Sequence, residues 1–234
     1  MFPTKNCTQR SCGQYAVRMS VDQVPSRRPY RQTRRAEATA QTRSRIREAA
    51  RGLLLDCGYT GTSMRAVAEQ AGVGTRTVYD YFPTKIALLQ EVVEDAIVGD
   101  SLPVPASERG WFQEILDEQS ADRRAALLAH ASTQLHQRTA ALFAVARSAA
   151  ADDPGAASLW RTGKSGHRRD CERFARAALG QTNGPALRAM TTTLYVLIGP
   201  ETYTMLADEL GLTPQAYEHW LRDSLTTVFG AAQQ

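Results

Sequence analysis

The sequence predicts an all-α protein, and three observations support this fold class. Apolar residues recur at i, i+3, i+4 and i+7 in most segments of the chain, which is the spacing of one face of a helix. Glycine and proline stand between these segments, where they begin or end helices. No stretch of convincing length alternates apolar and polar residues as a strand does. With 234 residues, the chain is long enough for one larger or two smaller domains.

Residues 1–38 predict a disordered basic arm, because they are polar, rich in arginine and without helical periodicity. Residues 1–47 have a net charge of +9, and the rest of the chain has a net charge of −5. A basic segment ahead of an acidic body fits a polyanion, and DNA fits best. The arginines could lie along DNA or only keep the arm in solution. No transmembrane helix is expected, since the chain has no run of eighteen apolar residues, and no membrane partner is expected, since residues 1–40 show no amphipathic helical stripe that would hold a bilayer.

The first helix is predicted from about Thr39 to Cys57, and Gly58 ends it. Its apolar face consists of six residues at helical spacing: Ile46, Ala49, Ala50, Leu53, Leu54 and Cys57. We therefore expect Cys57 to be a small core residue.

A second, short helix is predicted from four apolar residues at i, i+3, i+4 and i+7: Met64, Val67, Ala68 and Ala71. Thr62 or Ser63 can cap its first free N–H groups. Gly72 follows the helix, where glycine adopts a left-handed conformation without a Cβ clash.

A third helix is predicted from Val78 and Phe82, which lie four residues apart and share a buried face. The residues left on or near its outer surface are Thr75, Arg76, Thr77, Tyr79 and Asp80. Two short helices around a tight turn, at about residues 62–82, are typical of a helix-turn-helix, whose second helix enters the DNA major groove.

The outward side chains of this motif suit DNA. Arg76 can contact two acceptors of guanine, which discriminates between bases by roughly 1–3 kcal/mol. The hydroxyls of Thr77, Tyr79 and Tyr81 can hold phosphate oxygens, which sets the position of the helix without reading sequence. Tyr79 and Tyr81 could instead be packing residues, and Arg76 an ordinary surface charge.

Two further basic residues flank the motif. Thr84 is a plausible N-cap of the fourth helix, which makes Lys85 its first residue and places an amine beside free N–H groups that can hold a phosphate. Arg65 can reach the groove or the DNA backbone from the second helix, unless it is a solvated surface charge. Asp80 would repel phosphate, so we expect it to face a neighbouring helix or a cytosine amino group.

From about Arg45 to Val98, a quarter of the chain, the sequence resembles the TetR family of bacterial transcriptional regulators. The resemblance is carried by RIREAA at 45–50, GY at 58–59, TSMRAVAEQAGV at 62–73 and TVYDYFPTK at 77–85. Two positions depart from the commonest pattern: Arg76 replaces a small residue, and Asp80 replaces histidine or another neutral residue. The operator sequence therefore cannot be transferred from other members.

The resemblance implies a role for seven side chains. They are expected to face DNA: Arg65, Thr75, Arg76, Thr77, Tyr79, Tyr81 and Lys85. It also implies a homodimer, a small-molecule pocket in the C-terminal part, and release of DNA when the ligand binds.

The proline-containing stretch 99–107 predicts a linker. It separates a DNA-binding domain at 39–99 from a larger helical domain at 107–230, which is expected to bind the effector and to dimerise. Within this second domain we expect a short helix near Trp111, two helices or one bent helix over 123–151, and further helices over 156–179, 185–198, 202–210 and 214–229.

A ligand pocket needs apolar walls with a few polar groups. The large side chains of the C-terminal helices that could supply them are Trp111, His136, Phe143, Trp160, Tyr195 and Tyr203. Each of them could equally be an ordinary core residue. The apolar faces of the last long helices are the expected dimer seam: Leu187, Leu194, Val196, Leu197, Leu221, Leu225 and Val228.

The cysteines indicate no metal or disulfide framework. The four are scattered, and His167 and Cys171, which share one helical face, would need two more ligands to close a zinc site. We expect no metal, no cofactor and free thiols in a reducing cytoplasm, with the protein on the nucleoid when bound to DNA.

Together these observations predict a transcriptional repressor that a small-molecule effector releases from a near-palindromic site in double-stranded DNA. A DNA-binding activator or architectural protein without an effector is the alternative. An all-helical enzyme is a further alternative, but the four histidines lie in no recognisable catalytic setting, and no glycine-rich phosphate loop is present. We therefore expect no enzymatic activity.

Overall fold

The predicted all-α fold class is confirmed by a computed structural model, which describes residues 28–99, 108–180 and 183–231 and contains no strand in those ranges. Of the described residues, 28–39 belong to one unit, and those from Ala40 onward belong to a second, compact unit. The helices are α1 (Arg28–Gly61), α2 (Met64–Ala71), α3 (Thr75–Tyr81), α4 (Lys85–Val98), α5 (Gly110–Asp117), α6 (Ala121–Asp152), α7 (Pro154–Leu179), α8 (Pro185–Leu197), α9 (Pro200–Thr204) and α10 (Pro214–Gly230). In the described residues, no helix is both long enough and apolar enough to cross a bilayer.

Helix α1 begins earlier than predicted, and its first, regular part ends at the predicted glycine. The predicted start at Thr39 is wrong, because α1 begins at Arg28; its described side chains from Arg34 to Gln41 are exposed. An exposed helical segment needs no apolar stripe when alanine, arginine, glutamate and glutamine favour helix by themselves. The predicted stop at Gly58 is a break with φ of 69°, after which one more turn follows. The rest of the predicted arm, residues 1–27, lies outside the described residues.

The first four helices share one core with parts of α6 and α7. Its buried residues include Ile46, Ala50, Leu54, Met64, Val67, Ala68, Ala71, Val78, Phe82, Leu89 and Val92, together with Leu142 and Ala146 of α6 and Ala156 of α7. The predicted apolar face of α2 is confirmed. Cys57 is exposed, so its assignment to the core was wrong. The apolar pattern of α1 continues for one turn after Leu54, but Leu54 is the last residue of α1 that is completely buried.

A second core lies among α5, α6, α7, α8 and α10. Helix α6 is one continuous helix of 32 residues, and α7 continues through Gly163 and Gly166. Among the large side chains of this core are Phe112, Leu128, Phe174, Leu194, Tyr217, Leu221, Leu225 and Phe229.

A buried arginine closes α5 in this second core. Arg124 is 3% exposed, and its Nε donates to the carbonyl of Ile115 at 3.2 Å. Its Nη2 donates to the carbonyl of Glu118. These bonds satisfy carbonyl groups that the end of α5 would otherwise leave without partners.

Four of the leucines expected in the dimer seam are core residues of this chain. Leu187 is 6% exposed, and Leu194, Leu221 and Leu225 are fully buried. They cannot also lie on a surface between protomers, so this part of the seam prediction was wrong. Helical spacing marked a buried face correctly, but it did not show what buries that face. Val196, in contrast, is 57% exposed on α8.

The segment after α9 departs from α-helical geometry. Residues Met205–Glu209 form a π-helical turn that directly continues Pro200–Thr204, and Gly211 follows with φ of 69°. The sequence predicted a helix over 202–210 but not its wider turn. A π-turn is uncommon and occurs often at functional positions, because it moves one side chain out of the regular helical register.

Candidate nucleic-acid interface and ligand cavity

The turn between α2 and α3 has the features that the sequence predicts. Of the two possible caps, Ser63 is the one that accepts from the backbone N–H of Ala66, at 3.1 Å. Gly72 adopts the left-handed conformation with φ of 64°. The N–H of Val73 then donates to the carbonyl of Ala68 at 3.0 Å, which holds the turn between the two helices.

Helix α3 is anchored on one face and bare on the other. Val78 is fully buried and Phe82 is 2% exposed, as predicted. The opposite face exposes Thr75, Arg76, Tyr79 and Asp80, and Tyr79 retains 49% of its accessible surface. A short helix held in this way presents its outer face for contact with another molecule.

The two arginines of the motif are paired with acidic neighbours one helical turn away. Nε of Arg76 donates to Oδ1 of Asp80 at 3.2 Å, and Nη1 of Arg65 donates to Oε1 of Glu69 at 2.6 Å. All four side chains remain more than half exposed. The partner of Asp80 is therefore a residue of its own helix, where the sequence suggested a neighbouring helix or a base.

Thr77 and Tyr81 are less accessible than the rest of the predicted surface. Both are partly buried, and Tyr81 packs against the first core with its ring centroid 6.4 Å from that of Phe82. Tyr81 therefore combines both interpretations left open by the sequence, since part of its ring is packed and part remains accessible.

The ammonium of Lys85 is used inside the protein. Its Nζ donates to the carbonyls of Tyr59 at 2.6 Å and Thr62 at 2.8 Å, and it lies 4.0 Å from the centre of the Tyr59 ring. Burial lowers the pKa of Lys85 from its ordinary value. Thr84 caps α4 as predicted, by accepting from the N–H of Ala87 at 3.0 Å. The amine thus stabilises the connection between α1 and α2, a role that the sequence did not indicate.

A cavity of about 140 Å³ lies among α6, α7, α9 and the π-turn. It is lined by Ala140, Phe143, Ala144, Arg147, Trp160, Pro200, Glu201, Thr204, Met205 and Glu209. Phe143 and Trp160 are the two predicted ligand residues that lie here. The α6 residues follow i, i+3, i+4 and i+7, so helical spacing could have found Arg147. Spacing does not show how α9 and the π-turn pack against α6 and α7. It therefore could not have found the lining residues Glu201, Thr204, Met205 and Glu209.

The other four predicted ligand residues lie outside the lining of this cavity. Trp111 is 40% exposed on α5. Tyr195 is partly buried, with its ring 4.8 Å from that of His167. Tyr203 is also partly buried, and its ring lies 5.5 Å from that of His136.

His136 is a buried core residue. It is 2% exposed, and its Nδ1 lies 3.5 Å from the hydroxyl of Tyr217. Burial lowers the pKa of His136 to about 3, so the ring is neutral at pH 7.

Glu201 of the cavity lining forms an ion pair with Lys164, which is not itself a lining residue. Nζ of Lys164 donates to Oε1 of Glu201 at 2.8 Å and lies 5.5 Å from the Trp160 ring and 4.7 Å from the Tyr195 ring. Burial raises the pKa of Glu201, but the hydrogen bond and the charge of Lys164, together with smaller contributions, outweigh burial and lower it. The cavity thus combines aromatic surface with charged groups, a composition that can bind a small organic molecule.

His167 and Cys171 lie together, as their spacing predicts, with Sγ 3.8 Å from Nε2. In the described part of the chain, no group of three or more His, Cys, Asp or Glu side chains is arranged to hold a metal ion. Burial raises the pKa of Cys171 to about 12, which keeps the thiol protonated at neutral pH.

Residues 46–92 match the model of the bacterial regulatory proteins of the tetR family. The chain is also similar to the HTH-type transcriptional repressor KstR of Mycolicibacterium smegmatis, with 44% identity over 54 residues, or 23% of this chain and 26% of the relative. KstR of Mycobacterium tuberculosis is 43% identical over 54 residues, which are 23% of this chain and 24% of that protein. The matched segment therefore spans about a quarter of the length of these curated relatives.

Solved structures resemble a larger part of the chain. The flavonoid-responsive regulator FrrA is 25% identical, with a TM-score of 0.53 over 82% of this chain and 97% of its own. The transcriptional regulator FadR from Bacillus subtilis, solved with stearoyl-CoA, is 18% identical, with a TM-score of 0.61 over 78% of this chain and 97% of its own. The second likeness shows the fold alone. The helix-turn-helix geometry agrees with the match over 46–92, so this segment of the chain is similar to the helix-turn-helix part of the bacterial regulatory proteins of the tetR family.

Proposed function

We propose that this chain is a sequence-specific DNA-binding transcriptional repressor. The observation that carries the proposal is the accessible outer face of α3, held in place by Val78 and Phe82. On it lie side chains that can read base edges or hold phosphates: Thr75, Arg76 and Tyr79. The similarity to KstR, named as a repressor, supports repression rather than activation.

We further propose that the repressor is a homodimer on a near-palindromic operator, acting in the cytoplasm where the DNA is. A two-fold axis would place two α3 helices about one turn of DNA apart, roughly 34 Å. The supporting surface feature is Val196, an apolar side chain that is 57% exposed on α8.

The effector is proposed to be a small molecule that binds the cavity and releases the DNA. The cavity supports this over an architectural protein without an effector, since it joins Trp160 of α7 to Phe143 of α6, and both helices also contribute to the first core. Ligand and DNA would then be coupled because each binds one arrangement of these helices better than the other.

DNA binding is tested by capturing genomic fragments with the full-length chain and measuring affinity for the recovered sites. We expect salt-dependent binding to a palindrome, a loss of about tenfold or more with Arg76→Ala, and a smaller loss with Tyr79→Phe. Arg123→Ala removes the same charge from α6 and serves as the control, with affinity unchanged. Equal, weak binding to every duplex by all four proteins would refute the proposal.

The effector proposal has a separate test in Ala144→Trp, which fills the cavity, and Ala141→Trp, which adds the same side chain to an exposed position of α6. A ligand that binds the folded state raises its thermal stability. Stearoyl-CoA, a flavonoid and a metabolite collection are the probes. A compound that stabilises the original chain and the Ala141→Trp variant should not stabilise Ala144→Trp. Equal stabilisation of all three would exclude the cavity as the effector site.

A further inference from the structure

Arg76 and Asp80 form an ion pair on the outer face of α3. Their Nε and Oδ1 atoms are 3.2 Å apart, and the side chains remain 90% and 58% exposed. Residues four apart lie above one another on a helix, so the pair requires no change in the backbone. We propose that Asp80 is a specificity residue, which orients Arg76 to read one guanine in each half-site. The inference rests on the proposed DNA-binding function.

The hydrogen bond to Asp80 engages one part of the guanidinium and leaves the other part accessible. Nε is occupied, whereas the two terminal nitrogens still carry the remaining donors of a planar fork. Guanine presents two acceptors in the major groove, O6 and N7, which match such a fork. A guanidinium held at Nε loses less side-chain freedom when it binds the base, so the contact becomes stronger.

A carboxylate at position 80 is unfavourable both for phosphate contact and for the stability of α3. A role in reading DNA therefore explains Asp80 better than a role in stability does. A carboxylate repels phosphate, and Asp80 lies in the last turn of α3, where the helix dipole disfavours negative charge. An exposed ion pair adds little stability in return. The same repulsion keeps phosphates away from the pair, so that Arg76 is directed to a base edge instead of the backbone.

Arg65 and Glu69 provide an internal comparison, because they form an exposed pair of the same spacing on α2. The pair on α2 does not lie on the helix that we propose reads bases. Removing Glu69 therefore changes the charge of the motif as much as removing Asp80 does, without affecting the orientation of Arg76. Glu69→Ala is the matched control.

The experiment selects binding sites from a random duplex library with the full-length chain and with the variants Asp80→Ala, Arg76→Ala and Glu69→Ala. The original chain should select one guanine per half-site over other bases by roughly 5- to 150-fold, the range of a two-point arginine contact. Arg76→Ala should lose this preference. Asp80→Ala should reduce it at least about threefold at that position only, and Glu69→Ala should leave it unchanged.

A second readout separates orientation from damage to the fold. Loss of the Asp80 carboxylate should increase affinity for random duplex, since one repulsive charge is removed, while the guanine preference falls. A misfolded variant would lose both its affinity for random duplex and its guanine preference. The inference is overturned if Asp80→Ala keeps the guanine preference, or if Glu69→Ala loses it equally. If the original chain selects no sequence at all, the proposed function itself fails.

Discussion

The hydroxyl of Tyr59 donates a hydrogen bond to Oδ2 of Asp153, 3.1 Å away. Tyr59 lies in the last turn of α1, and Asp153 precedes α7 and caps it, with Oδ1 accepting from the N–H groups of Gly155 at 2.7 Å and Ala156 at 3.1 Å. Since Lys85 binds the carbonyls of Tyr59 and Thr62, the start of the helix that carries Trp160 is linked through hydrogen bonds to the end of α1 and to the start of α4. Movement of α7 would therefore be transmitted to the connection between α1 and α2, which precedes the helix-turn-helix.

Tyr59→Phe should lower Tm by roughly 2 °C at fixed protein concentration, the size expected for one hydrogen bond at a partly exposed site. Asp153→Ala should cost more, since it also removes the cap of α7. In the double variant the two effects should not add, because both remove the same bond. Strict additivity in thermal denaturation would show that the two residues do not interact in solution.

Lys85→Met should lower the free energy of unfolding by about 1–2 kcal/mol, because it removes two charge-assisted hydrogen bonds at a partly buried position. Urea denaturation measures this. Arg65→Met is the control, since it removes a cation that is 76% exposed and should change stability by less than about 0.5 kcal/mol. If the Lys85→Met variant is as stable as the original chain, the ammonium of Lys85 does not bind the two carbonyls in solution. It would then be available for a phosphate contact.

Val196→Glu should convert the proposed dimer into a monomer, because the substitution would bury a carboxylate in the proposed seam, where each protomer presents the same surface to the other. Sedimentation at several concentrations measures the change, and affinity for a full palindrome should fall to that for a half-site. Gln113→Glu adds the same charge to exposed α5 and should leave the dimer intact. A Val196→Glu variant that remains dimeric would place the seam on another surface.

His136 should make the protein less stable as the pH falls. Burial lowers the pKa of His136 to about 3, from an ordinary value of 6.5. Between pH 6.5 and pH 3, the imidazole is therefore protonated in the unfolded chain but neutral in the folded chain. This contribution is complete above pH 6.5 and is lost as the pH falls toward 3, by at most about 1.4 kcal/mol per pH unit.

His136→Gln should flatten this dependence between pH 6.5 and 5, where carboxylates still remain largely ionised. Unfolding free energies of both proteins at several pH values provide the measurement. An unchanged slope would show that protons are taken up elsewhere.

Local patterns predicted most of the helix-turn-helix. Ser63, Gly72 and Thr84 act within a few residues of themselves, and the burial of Val78 and Phe82 follows from their spacing. Helix capping, glycine conformation and burial at these positions depend on residues that are close in sequence, so they can be predicted from the sequence alone. The pair of Arg76 and Asp80 is also local, but spacing alone does not distinguish an ion pair from two separate surface charges.

By itself, the sequence determined the helical class, the bare face of α3 and the resemblance of the helix-turn-helix segment to the TetR family, because each depends on residues within one or two turns. Tertiary structure decided which apolar faces are covered inside the chain, as for Leu194 and Leu221, and which polar groups meet across long separations, as for Tyr59 and Asp153. It also decided that Lys85 binds backbone carbonyls and that Glu201 reaches the cavity beside Trp160. Periodicity shows which side of a helix is apolar, whereas the neighbour on that side is set by how all the helices pack together.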